Sequence, residues 1–230
     1  MGAIYLIRHG QASFGAGDYD KLSKAGVEQA QVLGAALKAR LPRVDAVVCG
    51  EMRRHRETAE HCLSAMGAPQ RWETDSGWNE FDHDELIVRY KPSYANRTLL
   101  KLDLARTLNP RRAFQSMFDA AIERWVSGDH DAEYAEPWPQ FKARVNDALQ
   151  SLVGQIGSAQ NALVFTSGGP ISTIACAGFG VPDAGMPKLA SRLANATVTK
   201  LVSGSRGVHV MTFNEHAHFE GAQSKLITYR

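Results

Sequence analysis

The sequence has few cysteines, no long apolar run and little net charge. No apolar segment reaches the roughly 18 residues that a membrane-spanning helix needs, so we expect no membrane association. The N-terminus enters an apolar segment without the basic region of a secretory signal, so no signal peptide is predicted. Three scattered cysteines without metal-site spacing are typical of a reducing compartment, and we expect a cytoplasmic location.

The charge balance also excludes one class of partner. A formal net charge of +2 argues against a dedicated nucleic-acid-binding protein, because such proteins usually carry a dominant basic surface. The hydrophobic content of 44% is sufficient for a large core, and the chain has no internal repeat or low-complexity tract. The length suits a single domain over residues 1–230 with an insertion, as either a monomer or a homodimer.

Strand and helix patterns alternate along the chain. The segments 4–7, 44–49, 70–74 and 162–166 have strand patterns, and helical patterns follow the first two and the last of them. Residues 197–202 and 208–214 predict a terminal hairpin. Residues 86–155 have helical patterns throughout, and we interpret residues 83–156 as an insertion over the sheet. The predicted fold is an α/β three-layer sandwich with a mostly parallel central sheet and helices on both faces.

The first strand delivers three chemically distinctive residues at its carboxyl end, Arg8, His9 and Gly10. Open α/β sheets bind ligands at this edge. A neutral imidazole is a nucleophile, and a neighbouring guanidinium can hold a phosphoryl group while disfavouring the charged ring. Gly10 would let backbone N–H groups approach the same anion. Taken alone, the pair is equally compatible with a surface arginine and a structural histidine.

The segment from Leu6 to Gln11, Leu-Ile-Arg-His-Gly-Gln, resembles the opening signature of the histidine phosphatase superfamily, the phosphoglycerate mutase-like proteins. Residues 22–30, Leu-Ser-Lys-Ala-Gly-Val-Glu-Gln-Ala, are similar to the family's next helix start, in the expected order. The resemblance continues unevenly to the C-terminus. It implies that His9 is the phosphorylated residue and that Arg8 and Gln11 bind the phosphoryl group.

A second basic cluster follows the second strand, at residues 53–56. Aligned on Thr58 and Ala59, this helix resembles the family's Arg-x-x-x-Thr-Ala segment, which implies that Arg54 binds phosphate. A second guanidinium beside Arg8 would suit a dianionic group. Two positions depart from the pattern, Gly50 in place of the usual serine and His55 in place of a small residue. A solvated basic helix face is the alternative interpretation.

An acidic loop supplies the candidate proton donor. Glu80 matches the position of the family's catalytic glutamate, and repulsion by an entering phosphate would raise its pKa toward neutrality. The residues that commonly follow this glutamate are replaced by His83, Asp84 and Glu85. Asp82, Asp84 and Glu85 therefore compete with Glu80 for the role, and an acidic surface loop is the alternative.

Ser167 is the largest departure from the resemblance. The family usually carries a phosphoryl-contacting histidine at this strand end, before a glycine that corresponds here to Gly168. A serine hydroxyl can donate one hydrogen bond to a phosphoryl oxygen and can cap the following helix. We therefore assign Ser167 and Gly168 to phosphate binding, and we expect Ser167→His to raise activity if the larger ring fits.

His216 and His218 lie just after the last strand, where the family often has a histidine. His218 matches that place better, and either residue could serve as an auxiliary to the pocket. Two histidines without a third ligand make a weak metal site, so no metal is predicted here, and surface or capping roles are the common alternative.

The combined interpretation is a cofactor-free, metal-independent phosphomonoester hydrolase that acts on a small phosphorylated molecule through a phosphohistidine at His9. Arg8, His9, Arg54 and Glu80 are the predicted catalytic set. Two alternatives remain open: mutase-type phosphoryl transfer, which the loop after Gln11 does not favour, and a non-catalytic module that binds a phosphorylated ligand, which Ser167 would suit.

Overall fold

A six-stranded sheet forms the centre of the molecule in a computed structural model that describes residues 2–13, 20–157 and 159–229. The strands are β1 (Gly2–Arg8), β2 (Ala46–Cys49), β3 (Glu73–Thr74), β4 (Asn161–Thr166), β5 (Val198–Gly204) and β6 (Gly207–Glu215), in the order β3-β2-β4-β1-β5-β6. Strands β1 to β4 pair in parallel, whereas β5 runs antiparallel to both of its neighbours. The sheet is therefore mostly parallel, as predicted.

Helices cover both faces of this sheet. Among the described residues they are α1 (Lys24–Arg40), α2 (Arg53–Met66), α3 (His83–Tyr90), α4 (Arg97–Ala105), α5 (Pro110–Val126), α6 (Trp138–Gln155), α7 (Gly168–Phe179) and α8 (Met186–Ala190). Ser23 caps α1, its hydroxyl accepting from the Gly26 N–H. Helices α3 to α6 fill the segment between β3 and β4, where the helical insertion was predicted, although a division into one domain plus an insertion stays a prediction.

Alternate residues of the central strands face two separate cores, which explains their unbroken hydrophobicity. Ile4 and Leu6 of β1 pack in the core that α5, α6 and α7 complete. Tyr5 and Ile7 point to the opposite face and pack with α1 and α2. The three-layer α/β sandwich follows directly from these two cores.

The structure refines several predicted boundaries. The weak third strand is only two residues long, and the predicted hairpin is present as β5 and β6. The predicted acidic loop already turns into α3 at His83, where Asp82 accepts from the N–H groups of Asp84 and Glu85. Most of the loop after Gln11, residues 14–19, lies outside the described residues. Within the described part of the chain, no helix combines the length and apolarity needed to cross a bilayer.

Candidate active site

Parallel pairing of β1 and β4 brings the first and fourth strand ends side by side. Arg8 is in register with Thr166, and the His9 N–H donates to the Thr166 carbonyl at 2.9 Å. The residues that follow each strand therefore share one edge of the sheet, where open α/β sheets bind their ligands. Here the polar residues of two distant motifs meet.

The geometry of His9 fixes the position of its proton. Nδ1 lies 2.8 Å from the Gly10 carbonyl oxygen, which can only accept, so Nδ1 carries the hydrogen. Burial lowers the pKa of His9 well below its usual value, and the guanidinium groups of Arg54 and Arg8 lower it further. The neutral ring therefore keeps a lone pair on Nε2, the atom that can act as a nucleophile.

Gly10 has a packing role that differs from the predicted one. Its N–H donates to the Thr58 hydroxyl at 3.0 Å, so this amide is directed at α2. A Cβ at Gly10 would lie 2.5 Å from the Gly26 carbonyl oxygen, so glycine is required for α1 to pack this closely. Thr58 also donates to the Arg54 carbonyl at 2.6 Å and so ties α2 to the strand end.

Two buried guanidinium groups flank His9. Arg8 and Arg54 are 6% and 5% exposed, and His9 itself is 8% exposed, so the pocket is nearly closed to solvent. Arg8 donates to the Leu193 carbonyl. Arg54 donates through Nη1 to the Asp20 carboxylate at 2.6 Å. An internal carboxylate thus contacts the side chain that was predicted to bind phosphate.

The register of α2 matches the sequence prediction. Arg54 is buried in the pocket, whereas Arg53 and Arg56, one and two residues away, are exposed. The Arg53 guanidinium pairs with Glu57, one turn along the helix, at 2.7 Å. Because neighbouring helical residues point in different directions, only one arginine of the cluster reaches His9.

Glu80 lies against the start of α7. Both of its carboxylate oxygens are 3.1 Å from the Gly169 nitrogen, whose N–H donates to them. A Cβ at Gly169 would come 2.1 Å from Oε1, so this contact requires glycine. Burial raises the pKa of Glu80, although Arg54, the Gly169 N–H and Arg8 each act in the opposite direction. A raised pKa suits a proton donor. In the protein without substrate, burial raises this pKa, and not repulsion by a phosphate.

The acidic rivals of Glu80 have other partners. Asp82 caps α3, and Asp84 pairs with Arg97. Glu85 accepts from the Ala135 N–H at 2.9 Å. These three acids make their contacts within the helical segment. Glu80 differs, because it contacts Gly169 at the edge of the sheet.

Ser167 pairs with His55, a contact that the sequence analysis did not anticipate. Both side chains are fully buried, and Ser167 Oγ lies 2.6 Å from His55 Nε2. Ser167 occupies the N-cap position of α7, but its hydroxyl makes no capping bond, contrary to the prediction. The rings of His55 and His9 are 5.9 Å apart between centroids. The His55 ring already lies beside Ser167, so we expect the pocket to accommodate Ser167→His poorly.

Gly50 is coupled to the same pair. A Cβ at Gly50 would lie 2.3 Å from His55 Nδ1, far inside van der Waals contact. The three departures from the family pattern, at positions 50, 55 and 167, therefore meet at one point. Each of these three positions was already unusual in the sequence. Only the fold shows that they contact one another.

The remaining predicted residues lie around this centre. Gly168 is adjacent, since a Cβ there would lie 3.8 Å from Arg8 Nε. Gln11 accepts through its side-chain oxygen from the Ser23 hydroxyl at 2.8 Å, next to the start of α1.

His216 and His218 contact backbone carbonyl groups. A nitrogen of His218 lies 3.0 Å from the Ala196 carbonyl, and one of His216 lies 2.7 Å from the Asn214 carbonyl. Burial lowers the pKa of His218, and the other charges that act on it are Glu215, Arg40 and His216. Neither of these two contacts involves Arg8, His9 or Arg54, so an auxiliary role stays a prediction.

Two further residues of the site were missed at the sequence level. Asp20 binds Arg54, and Thr58 joins α2 to Gly10. Asn195 was also overlooked, and its side chain donates to the His9 carbonyl at 3.3 Å. No residue pattern marked Asp20 or Asn195, whose types are common in loops. Thr58 was part of the aligned motif, but the motif gave it no structural role. Across the described ranges, no three His, Cys, Asp or Glu side chains group as metal ligands.

The chain belongs to the histidine phosphatase superfamily. The model of its branch 1 matches residues 4–98 and 107–216, which is most of the protein. A search of curated proteins gave no match.

Solved structures of this superfamily share the fold. A phosphoglycerate mutase from Bacillus anthracis superposes with a TM-score of 0.67 at 20% identity, covering 97% of this chain and 96% of its own. A variant phosphoserine phosphatase from Entamoeba histolytica, in complex with phosphoserine, gives 0.65 at 15% identity, with 95% and 99% covered. A mycobacterial glucosyl-3-phosphoglycerate phosphatase gives 0.59 at 20% identity, with 94% and 99% covered. At these identities the likeness concerns the fold alone.

Proposed function

We propose that this protein hydrolyses phosphomonoesters of small molecules through a phosphohistidine at His9. The observation that carries the proposal is the His9 ring, which is neutral, has its proton fixed on Nδ1 and lies between two buried guanidinium groups. This arrangement favours a nucleophile facing a dianion, because the cations stabilise the transferred phosphoryl group. The superfamily includes phosphatases and mutases, so it is compatible with the proposal.

The first step transfers the phosphoryl group to His9. The Nε2 lone pair attacks phosphorus, a P–N bond forms, and the bond from phosphorus to the ester oxygen breaks. The leaving oxygen takes a proton from the Glu80 carboxyl, which its raised pKa keeps available. Arg8 and Arg54 neutralise the equatorial oxygens, and the phosphoryl group competes with Asp20 for Arg54.

The second step returns the enzyme to its starting state. The Glu80 carboxylate takes a proton from water, the water oxygen attacks phosphorus, and the P–N bond breaks. Inorganic phosphate leaves, and Glu80 is again protonated. The residues account for every proton, so the proposed reaction needs no metal or organic cofactor. A cytoplasmic location, a small-molecule substrate and a monomeric or dimeric state remain part of the same proposal.

Phosphoenzyme trapping tests the proposal. The purified protein should hydrolyse an aryl phosphate with a chelator present and should yield an acid-labile, alkali-stable phosphoenzyme. His9→Ala should abolish both signals, while the exposed-site variant His209→Ala, on β6, should retain them. Turnover that depends on a divalent ion would overturn the metal-free mechanism. Phosphate binding without any turnover on a broad ester panel would favour the binding module, and transfer between two positions of one substrate would favour a mutase.

A further inference from the structure

His55 and Ser167 form a buried pair beside the nucleophile, and the direction of their hydrogen bond can be deduced. His55 Nε2 lies 2.6 Å from Ser167 Oγ, while Nδ1 has no hydrogen-bond partner within the described part of the chain. Nδ1 faces the hydrogens of Gly50, since a Cβ at that residue would lie 2.3 Å from it. A hydrogen on Nδ1 would point at the carbon-bound hydrogens of Gly50. A lone pair on Nδ1 avoids this clash.

The charge state of His55 supports the same assignment. Burial lowers the pKa of His55, and the nearby Arg54 lowers it further, so the ring is neutral. A neutral imidazole has one N–H, and an orphaned buried N–H is costlier than an orphaned lone pair. The proton therefore sits on Nε2 and is donated to Ser167 Oγ.

This assignment determines what the serine hydroxyl can do. With its oxygen accepting from His55, the Ser167 proton is left for another acceptor, and the described residues supply none. Ser167 follows directly after β4, the strand beside β1, and the next residue lies close to both Arg8 and Glu80. A donor without an acceptor, close to the Arg8 guanidinium, is suited to a phosphoryl oxygen.

We propose that His55 is a positioning residue for phosphoryl transfer, which donates Nε2–H to Ser167 and so directs the serine proton to the phosphoryl group. The proposal rests on the phosphohydrolase function given above. Ser167 contacts the substrate, and His55 acts only through Ser167. Without His55 the hydroxyl would rotate freely, and its hydrogen bond would be lost for part of the time.

A double-mutant cycle tests the coupling, with kcat/KM on an aryl phosphate and the affinity for inorganic phosphate as readouts. Ser167→Ala and His55→Leu should each lower both quantities about tenfold, the scale of one hydrogen bond to a charged group. The double variant should be no worse than the poorer single variant, because the two residues act as a unit. His55→Gln, which retains an N–H donor, should recover most of the loss.

Two outcomes of the cycle would overturn the proposal. Additive losses would mean that His55 and Ser167 act independently, and unchanged phosphate affinity in Ser167→Ala would mean that the serine does not touch the phosphoryl group. Nitrogen-15 NMR of the histidine rings shows which ring nitrogen carries the proton, a property that a purely structural role of His55 would not determine. It should show His55 protonated on Nε2, and protonation on Nδ1 would reverse the hydrogen bond and contradict the proposal.

The affinity measurement separates this inference from the proposed function. If the native protein shows no turnover but phosphate binding keeps the non-additive pattern, the hydrolase assignment fails and the positioning pair stands. If turnover and the phosphoenzyme at His9 are present but the cycle is additive, the hydrolase assignment stands and the positioning pair fails.

Discussion

Each side of the pocket combines an imidazole with a second polar group, but the two sides draw these groups from different elements. On the side of His9, adjacent residues of one strand end supply the nucleophile and a guanidinium, and a short sequence motif identifies them. On the side of Ser167, the imidazole comes from α2 and the hydroxyl from the end of β4, 112 positions apart in sequence. The difference shows that an imidazole can be supplied to such a pocket either from a strand end or from a helix.

The largest effect is expected where the two sides meet, at Arg54. Arg54→Ala removes a buried guanidinium beside His9 and should lower kcat/KM by about a hundredfold or more, roughly 3 kcal/mol of transition-state stabilisation. The matched controls are Arg53→Ala and Arg56→Ala, which alter exposed residues of the same helix. Steady-state kinetics on one aryl phosphate measures all three. A larger loss in Arg53→Ala would contradict the observed register of α2.

Glu80 allows the proton-transfer step to be examined separately from phosphate binding. Glu80→Gln should reduce turnover about a hundredfold on an alkyl phosphate, whose leaving oxygen needs a proton, and less on a nitrophenyl phosphate. The native rate of phosphoenzyme formation should fall as pH rises through the raised pKa of Glu80, since the protonated carboxyl is the donor. Asp84→Asn is the control. Equal losses on the two esters would argue against Glu80 as the acid.

The comparison can be tested directly by moving the imidazole from position 55 on α2 to position 167 after β4. Ser167→His alone should lower activity about tenfold or more, because His55 already fills the neighbouring space. Combined with His55→Ala, the same substitution should regain activity, since one imidazole then occupies the pocket. Kinetics and thermal melting of both variants provide the test. Full activity in Ser167→His alone would show that the pocket holds two rings.

The smallest effect is expected in the acid dependence of stability. The pKa values of His9 and His55 are lowered in the folded protein, so below about pH 6.5 the unfolded chain binds protons that the folded chain does not. The free energy of unfolding should therefore fall with decreasing pH, by up to about 1.4 kcal/mol per pH unit for each ring. His55→Gln should make the fall shallower in urea unfolding at pH 7.5, 6.5 and 5.5. The exposed His209→Gln is the control, and an unchanged slope in His55→Gln would contradict a neutral buried ring.

The sequence was sufficient for the fold because its signals were local and redundant. Apolar strands flanked by helical patterns, the helix start within residues 22–30 and the terminal hairpin all agree with the structure. The register of α2 was also predictable, since only Arg54 shares the helix face of the buried Thr58 and His55 lies next to it.

The contacts inside the pocket could not be predicted because they join distant segments. The pairing of His55 with Ser167, and the pairing of Asp20 with Arg54, depend on how α2 packs against β4 and against the loop before α1. The contact of the Gly10 N–H could not be predicted for a similar reason, because the position of Thr58 on α2 decides it. The catalytic roles of Arg8, Arg54 and Glu80 stay predictions until the kinetics are measured.

Gly50 places a constraint on the order in which the chain could have changed. Any side chain at position 50 would collide with the His55 ring, so a histidine at position 55 is admissible only after position 50 has become glycine. Among homologues, histidine at the position of His55 should therefore occur only with glycine at the position of Gly50.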